Sequence, residues 1–283
     1  MYKTLISTSQ LLDILGKENL VVIDCRFSLT DTEYGEHAHL ESHIPNAVYA
    51  HLDKDLSGEI IQGTTGRHPF PKVEDLVRTL SNWGVDNRSQ VVIYDQSHGG
   101  IAARLWCLMK WLGHESVAVL DGGWARWEAL GLPKESGRVE HSLSTFEPKP
   151  IKEMLVDVVF MEEHLNDSEY IYIDARAAER YRGEKEPIDP IAGHIPGAVS
   201  LPFLGNLGDD GLFLPKNELA KRFLNILRKT DKARPILYCG SGVTACHNLL
   251  AFHHLGLYGA KLYPGSWSEW IVDKERSIGI VVR

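Results

Sequence analysis

Long apolar runs are missing from this sequence. No stretch approaches the roughly 18 consecutive apolar residues of a membrane-spanning helix, so no membrane association is expected. The start, Met1-Tyr2-Lys3-Thr4-Leu5-Ile6-Ser7, lacks the apolar segment of a secretory signal, and none is expected. Cysteine is scarce. Four residues, at 25, 107, 239 and 246, do not make a disulfide scaffold in a chain of 283. No C-x-x-C pair or His/Cys ligand spacing occurs, so neither a metal nor a cofactor is expected. Positive charge is in deficit: 30 Lys and Arg face 38 Asp and Glu, a net charge of −8. Nothing there attracts nucleic acid or an anionic membrane in general. What remains is the composition of an ordinary globular protein, 43% hydrophobic and 24% charged. The expected compartment is the reducing cytoplasm, where a low-pKa thiol stays usable, and the length suggests about two domains.

In chain order, Ser9 to Gly16 reads as a short helix capped by Ser9, and Leu20 to Asp24 as a buried strand. A polar stretch rich in His and Glu follows to Glu41, then a turn through His43-Ile44-Pro45 into a second strand. Asp53 to Arg67 reads as loop. Pro71 opens a helix that Gly84 stops, Val91 to Asp95 is a strand, and Gly99-Gly100 lead into a helix from Ile101 to Leu112. Val117 to Leu120 is a further strand before Asp121-Gly122-Gly123-Trp124 and another helix.

The second half replays this order. Val21-Val22-Ile23-Asp24-Cys25-Arg26 returns as Ile171-Tyr172-Ile173-Asp174-Ala175-Arg176, and His43-Ile44-Pro45 as His194-Ile195-Pro196. Pro71-Lys72 returns as Pro215-Lys216, Val91 to Asp95 as Pro235 to Cys239, and Trp124 as Trp267. Ordered landmarks at so long a period imply duplication of one fold rather than a solenoid. The predicted layout is a first copy at 1–132, a polar, proline-bearing linker at 133–152 and a second copy at 153–283. Alternating strands and helices predict α/β copies, each with a mainly parallel sheet and helices on both faces. In such sheets the functional cleft lies beyond the carboxyl ends of the strands, where Asp24, Asp95, Asp174 and Cys239 stand.

The copies differ chemically at one point. Asp95 in the first stands where the second has Cys239, followed by the loop Gly240-Ser241-Gly242-Val243-Thr244 and a helix that Gly256 closes. A cysteine between a strand end and a helix amino-terminus sits among converging backbone N–H groups, which favour the thiolate. The first copy has no sulfur there and is expected to be non-catalytic.

These residues resemble the tandem-domain rhodanese family of sulfurtransferases. The resemblance rests on Asp174-Ala175-Arg176, Gly193-His194-Ile195-Pro196-Gly197-Ala198, Tyr238 to Ala245 and Tyr263-Pro264-Gly265-Ser266-Trp267. The first half adds Gly35, His43-Ile44-Pro45, Arg67-His68-Pro69 and Asp121 to Trp124. It implies two tandem rhodanese-like domains, with Cys239 as the nucleophile and Gly240, Gly242, Val243 and Thr244 as the surrounding cradle. The loop is similar to that of members using 3-mercaptopyruvate. Thiosulfate users carry a basic pair just after the cysteine, where this chain has Gly240-Ser241. A thiosulfate dianion profits from cations beside the attacked sulfur, whereas mercaptopyruvate carries its charge on a carboxylate several atoms away. The resemblance assigns that carboxylate to Arg180 through paired guanidinium contacts. Mercaptopyruvate users often have a second arginine further on. This chain has Asp189 there, with Arg182 or Lys185 as the expected substitute. The family also implies a relay of Ser241, His68 and Asp53.

The expected activity is therefore sulfur transfer from 3-mercaptopyruvate through a Cys239 persulfide to a thiophilic acceptor: cyanide, a small thiol or a thioredoxin. The alternatives are a thiosulfate:cyanide sulfurtransferase and, in another class, a sulfur-carrier or binding module without turnover. A cysteine phosphatase needs a longer loop closed by arginine, and that position is Ala245.

Overall fold

A computed structural model describes residues 1–227 and 234–281. The chain forms two compact units. One comprises Met1–Gly58, Phe70–Ile151 and Asp209–Leu212; the other comprises Glu59–Pro69, Lys152–Gly208 and Phe213–Arg283. Among the described residues no helix is long and apolar enough to cross a membrane.

The first unit contains β1 (Leu5–Ile6), α1 (Thr8–Ile14), β2 (Leu20–Asp24), α2 (Tyr34–Glu41), β3 (Ala47–Tyr49), α3 (Val73–Asn82), β4 (Gln90–Tyr94), α4 (Ala102–Trp111), β5 (Val117–Leu120) and α5 (Gly123–Ala129). Its sheet runs β1-β5-β4-β2-β3 with every neighbouring pair parallel. All five residues of β4 are buried, which requires cover on both faces and explains why these strands read as continuous apolar runs. One face packs Val22, Val92, Tyr94, Ala118 and Leu120 with Leu11 of α1 and Trp124 and Trp127 of α5. Helix α4 packs on β4 and β5, and its residues from Ala102 to Lys110 are all buried.

One local reading is corrected. Helix α1 is capped by Ser7, not Ser9: the Ser7 hydroxyl accepts the Gln10 N–H, and the Gln10 side chain accepts the Ser7 N–H at 3.0 Å. The polar stretch that ends at Glu41 contains α2. The segment 133–151 packs along this first unit. Glu135 pairs with His43 in an antiparallel bridge, and the N–H groups of Lys149 and Ile151 donate to the carbonyls of Leu112 and Trp111.

The second unit contains α6 (Val158–Glu163), β6 (Tyr170–Asp174), α7 (Ala178–Tyr181), β7 (Val199–Ser200), α8 (Lys216–Leu227), β8 (Arg234–Tyr238), α9 (Ala245–His254), β9 (Lys261–Leu262) and α10 (Ser266–Trp270). Its parallel sheet runs β7-β6-β8-β9. The repeated landmarks are one structural device built twice. Asp24 and Asp174 end equivalent strands and hold Arg26 and Arg176 by Nη2 contacts of 2.6 and 2.7 Å. Each guanidinium also donates to the backbone, at Ser42 and Gly193, and lies over Trp124 or Trp267. His43 and His194 direct Nδ1 at the carbonyls of His39 and Tyr181, both at 2.7 Å, so these histidines lock turns in both copies.

Candidate active site

Strand β8 delivers Cys239 at its carboxyl end with 1% of the residue exposed. The first turn of α10 fixes it from one side. The Cys239 N–H donates to Ser266 Oγ at 3.1 Å, and the N–H groups of Trp267 and Ser268 donate to the carbonyls of Cys239 and Gly240. Ser266 holds φ at +56°, a conformation that costs a non-glycine residue about 1–2 kcal/mol. Its hydroxyl offsets this by bonding both Cys239 N–H and the Tyr263 carbonyl. The equivalent position in the copy without the cysteine is Gly123, also at positive φ.

Beyond the cysteine the loop is shaped by contact. Gly242 sits at φ +74°, and a Cβ there would lie 2.2 Å from the Pro264 carbonyl oxygen. The chain then enters α9 at Ala245. His68, in the segment Glu59–Pro69, places Nδ1 2.7 Å from Ser241 Oγ, and both side chains are buried.

Arg180, on α7, reaches the same loop. A Cβ on Gly240 would lie 3.4 Å from Arg180 Nη2 and 3.0 Å from Arg67 Nη2. Arg180 is anchored from behind by Glu186, whose carboxylate accepts from Nε at 3.0 Å, and by Asp189 at 3.0 Å from Nη2. Asp189 also pairs with Arg67 Nη1. Burial pulls the Arg67 guanidinium below its ordinary pKa, while a Cys239 thiolate acts in the opposite direction.

The second unit thus brings together Cys239, Ser241, His68, Arg180 and the loop glycines. Asp53 belongs to the first unit, where it is exposed and its N–H donates to His51 Nδ1 at 3.0 Å. Of the expected substitutes for a second arginine, Arg182 pairs with Glu184 and Lys185 is exposed. Sequence reasoning gave no role to Arg67, Glu186 or Ser266. Arg67 and Ser266 lay inside quoted motifs; Glu186 carried no signal.

The corresponding loop of the first unit is already filled by an anion. The Asp95 carboxylate accepts four backbone N–H groups, from Ser97, Gly99, Ile101 and Ala102, at 2.9–3.2 Å. The Trp124 N–H reaches the Asp95 carbonyl as that of Trp267 reaches Cys239, so the two residues hold equivalent places.

Comparison with known proteins identifies the family. The rhodanese-like domain pattern matches residues 7–130 and again 159–273. The chain belongs to the tandem-domain rhodanese family of sulfurtransferases. It is 46% identical over 275 residues to a probable 3-mercaptopyruvate sulfurtransferase of Pseudomonas aeruginosa, covering 97% of each chain. A putative thiosulfate sulfurtransferase of Mycobacterium tuberculosis is 35% identical, covering 91% of this chain and 90% of that one. Among solved structures, a 3-mercaptopyruvate sulfurtransferase of Escherichia coli superposes with a TM-score of 0.82 at 29% identity, covering 95% of this chain and all of the other. The family's tandem architecture accounts for both sheets and for the repeated Asp-x-Arg, His and Trp landmarks.

Proposed function

We propose that this protein transfers sulfane sulfur from 3-mercaptopyruvate, through a persulfide on Cys239, to a thiophilic acceptor. The Cys239 thiolate attacks the donor sulfur, and the carbon–sulfur bond breaks with its electron pair moving onto carbon. The enolate so formed takes a proton and leaves as pyruvate. The proton gained at carbon balances the one lost from the donor thiol, and the Ser241–His68 pair is the group suited to carry it. An acceptor thiolate or cyanide then takes the outer sulfur and returns the Cys239 thiolate. The amides of Gly240, Gly242, Val243 and Thr244 hold the anionic persulfide, in the manner in which loop amides of the first unit hold the Asp95 carboxylate.

The observation that carries the donor assignment is the guanidinium of Arg180 beside Gly240, next to a loop without charge of its own. The test has two parts. Mass spectrometry after mercaptopyruvate treatment shows one added sulfur, about 32 Da, on Cys239 and none on Cys239→Ser. Side by side, kcat/KM for mercaptopyruvate exceeds that for thiosulfate; a tenfold preference for thiosulfate, about 1.4 kcal/mol in the transition state, refutes the donor assignment. The second reading, thiosulfate as donor, draws on the convergence of two guanidinium groups near the loop. A carrier without turnover is separated by cycling with donor and acceptor both in excess. We place the protein in a reducing compartment such as the cytoplasm, which suits four free cysteines and a thiolate nucleophile.

A further inference from the structure

We propose that Arg67 is the second guanidinium of the donor-binding site, replacing in space the arginine that the sequence lacks at Asp189, and that Asp189 orients it. This rests on the reading of Cys239 as sulfur acceptor and Arg180 as carboxylate ligand. It assigns to that site a residue from a different chain segment.

The arrangement has a front and a back. Behind stand two buried carboxylates, with side-chain exposures of 2% for Asp189 and 4% for Glu186. In front stand the guanidinium groups, more open to solvent at 31% for Arg67 and 15% for Arg180. Asp189 holds both of them, one on each oxygen. Both reach the loop: Arg67 Nη2 lies 3.0 Å, and Arg180 Nη2 and Nη1 lie 3.4 and 3.6 Å, from the place a Gly240 Cβ would take. Arg67 Nη2 and Arg180 Nη1 have no hydrogen-bond partner among the described residues, while Arg180 Nη2 is held by Asp189 and Glu186. Two N–H edges converging on one backbone position form a fork for a planar anion, and their orientation is prepaid by the carboxylates behind. An acid at 189 therefore does not weaken the site by replacing a cation. It recruits a cation from the segment Glu59–Pro69.

The same geometry explains Gly240. A basic side chain there would meet two guanidinium groups in the space it needs. The loop stays neutral because its cations arrive from elsewhere.

The test compares mercaptopyruvate with mercaptoacetone, the same thiol ketone without the carboxylate, in single-turnover formation of the Cys239 persulfide. Arg67→Met lowers the preference for mercaptopyruvate over mercaptoacetone roughly 10- to 100-fold, the scale of a lost charge-assisted hydrogen bond. Arg67→Lys restores part of it. In parallel, calorimetry gives weaker pyruvate binding to Arg67→Met than to the parent protein, with unfolding temperature recorded for both. Equal losses with both donors, together with unchanged pyruvate binding, overturn the proposal. If the parent protein forms no persulfide with either donor, the reading of Cys239 fails, and pyruvate binding alone decides the role of Arg67.

Discussion

His68 Nδ1 and Ser241 Oγ are 2.7 Å apart although 173 residues separate them in the chain. A buried imidazole against a buried hydroxyl, two positions after Cys239, is the pair to which the proposed mechanism gives the proton. His68→Gln is expected to slow persulfide formation by about 10²-fold or more, the usual worth of a positioned acid or base. Ser241→Ala falls in the same range, and the double variant loses little beyond either single one, because the residues act as a unit. Rapid-quench mass spectrometry on Cys239 checks this; additive losses would separate the two roles.

The carboxylate of Asp95 stands in the first unit where the sulfur of Cys239 stands in the second. Asp95→Ala would leave four N–H groups without their acceptor and is expected to cost about 2–4 kcal/mol in stability. Asp95→Asn keeps one accepting oxygen and costs less. Denaturant unfolding of both variants measures the difference. Loss of persulfide formation without loss of stability would contradict a purely structural role for Asp95.

Two glycines of one loop should respond differently to alanine. At Gly242 the new Cβ meets a backbone oxygen at 2.2 Å and φ is +74°. Gly242→Ala is expected to cost about 3 kcal/mol and to displace the loop. At Gly240 the nearest atom, at 3.0 Å, is the end of the Arg67 side chain, which can shift. Gly240→Ala should cost less than about 1 kcal/mol and raise KM for mercaptopyruvate more than it lowers kcat. Thermal unfolding and steady-state kinetics on the pair check this contrast.

His254 supplies a pH dependence. Burial, aided by the Lys216 charge, lowers its pKa from 6.5 to about 4. Between those values the unfolded chain binds the proton that the folded chain refuses. The contribution is therefore complete above pH 6.5 and is eroded as pH falls toward 4. Its size, after allowance for partial exposure, is on the order of 2 kcal/mol. Unfolding free energies at pH 7.5 and pH 4.5 should differ by less in His254→Gln than in the parent; an equal difference would assign the acid lability to other groups.

Much of this was legible because it repeats. Strands ending in Asp24 and Asp174 are apolar runs with a polar stop, and Cys239 is set off by glycines. Other parts left no local trace. Strand β1 is two residues long and exists through pairing with β5, more than a hundred residues on. Helix α2 buries only Gly35 and His39, so no apolar period marks it. Asp189 was readable as an acid where an arginine is common, but its two guanidinium partners lie nine and 122 residues away in the chain. Ionic partnerships of that span are set by topology, not by spacing.

The membership of Glu59–Pro69 in the second unit makes the duplicated gene indivisible. A fragment beginning at Lys152 would carry Cys239 and its loop, yet lack both His68 and Arg67. Added in trans, a peptide spanning 59–69 would have to recover the entropy that chain connectivity supplies for nothing. Recombination that exchanged one copy for a homologous copy would bring in a foreign counterpart of His68 and of Arg67 with it. The second unit is not a self-contained module, because eleven of its residues come from within the first repeat.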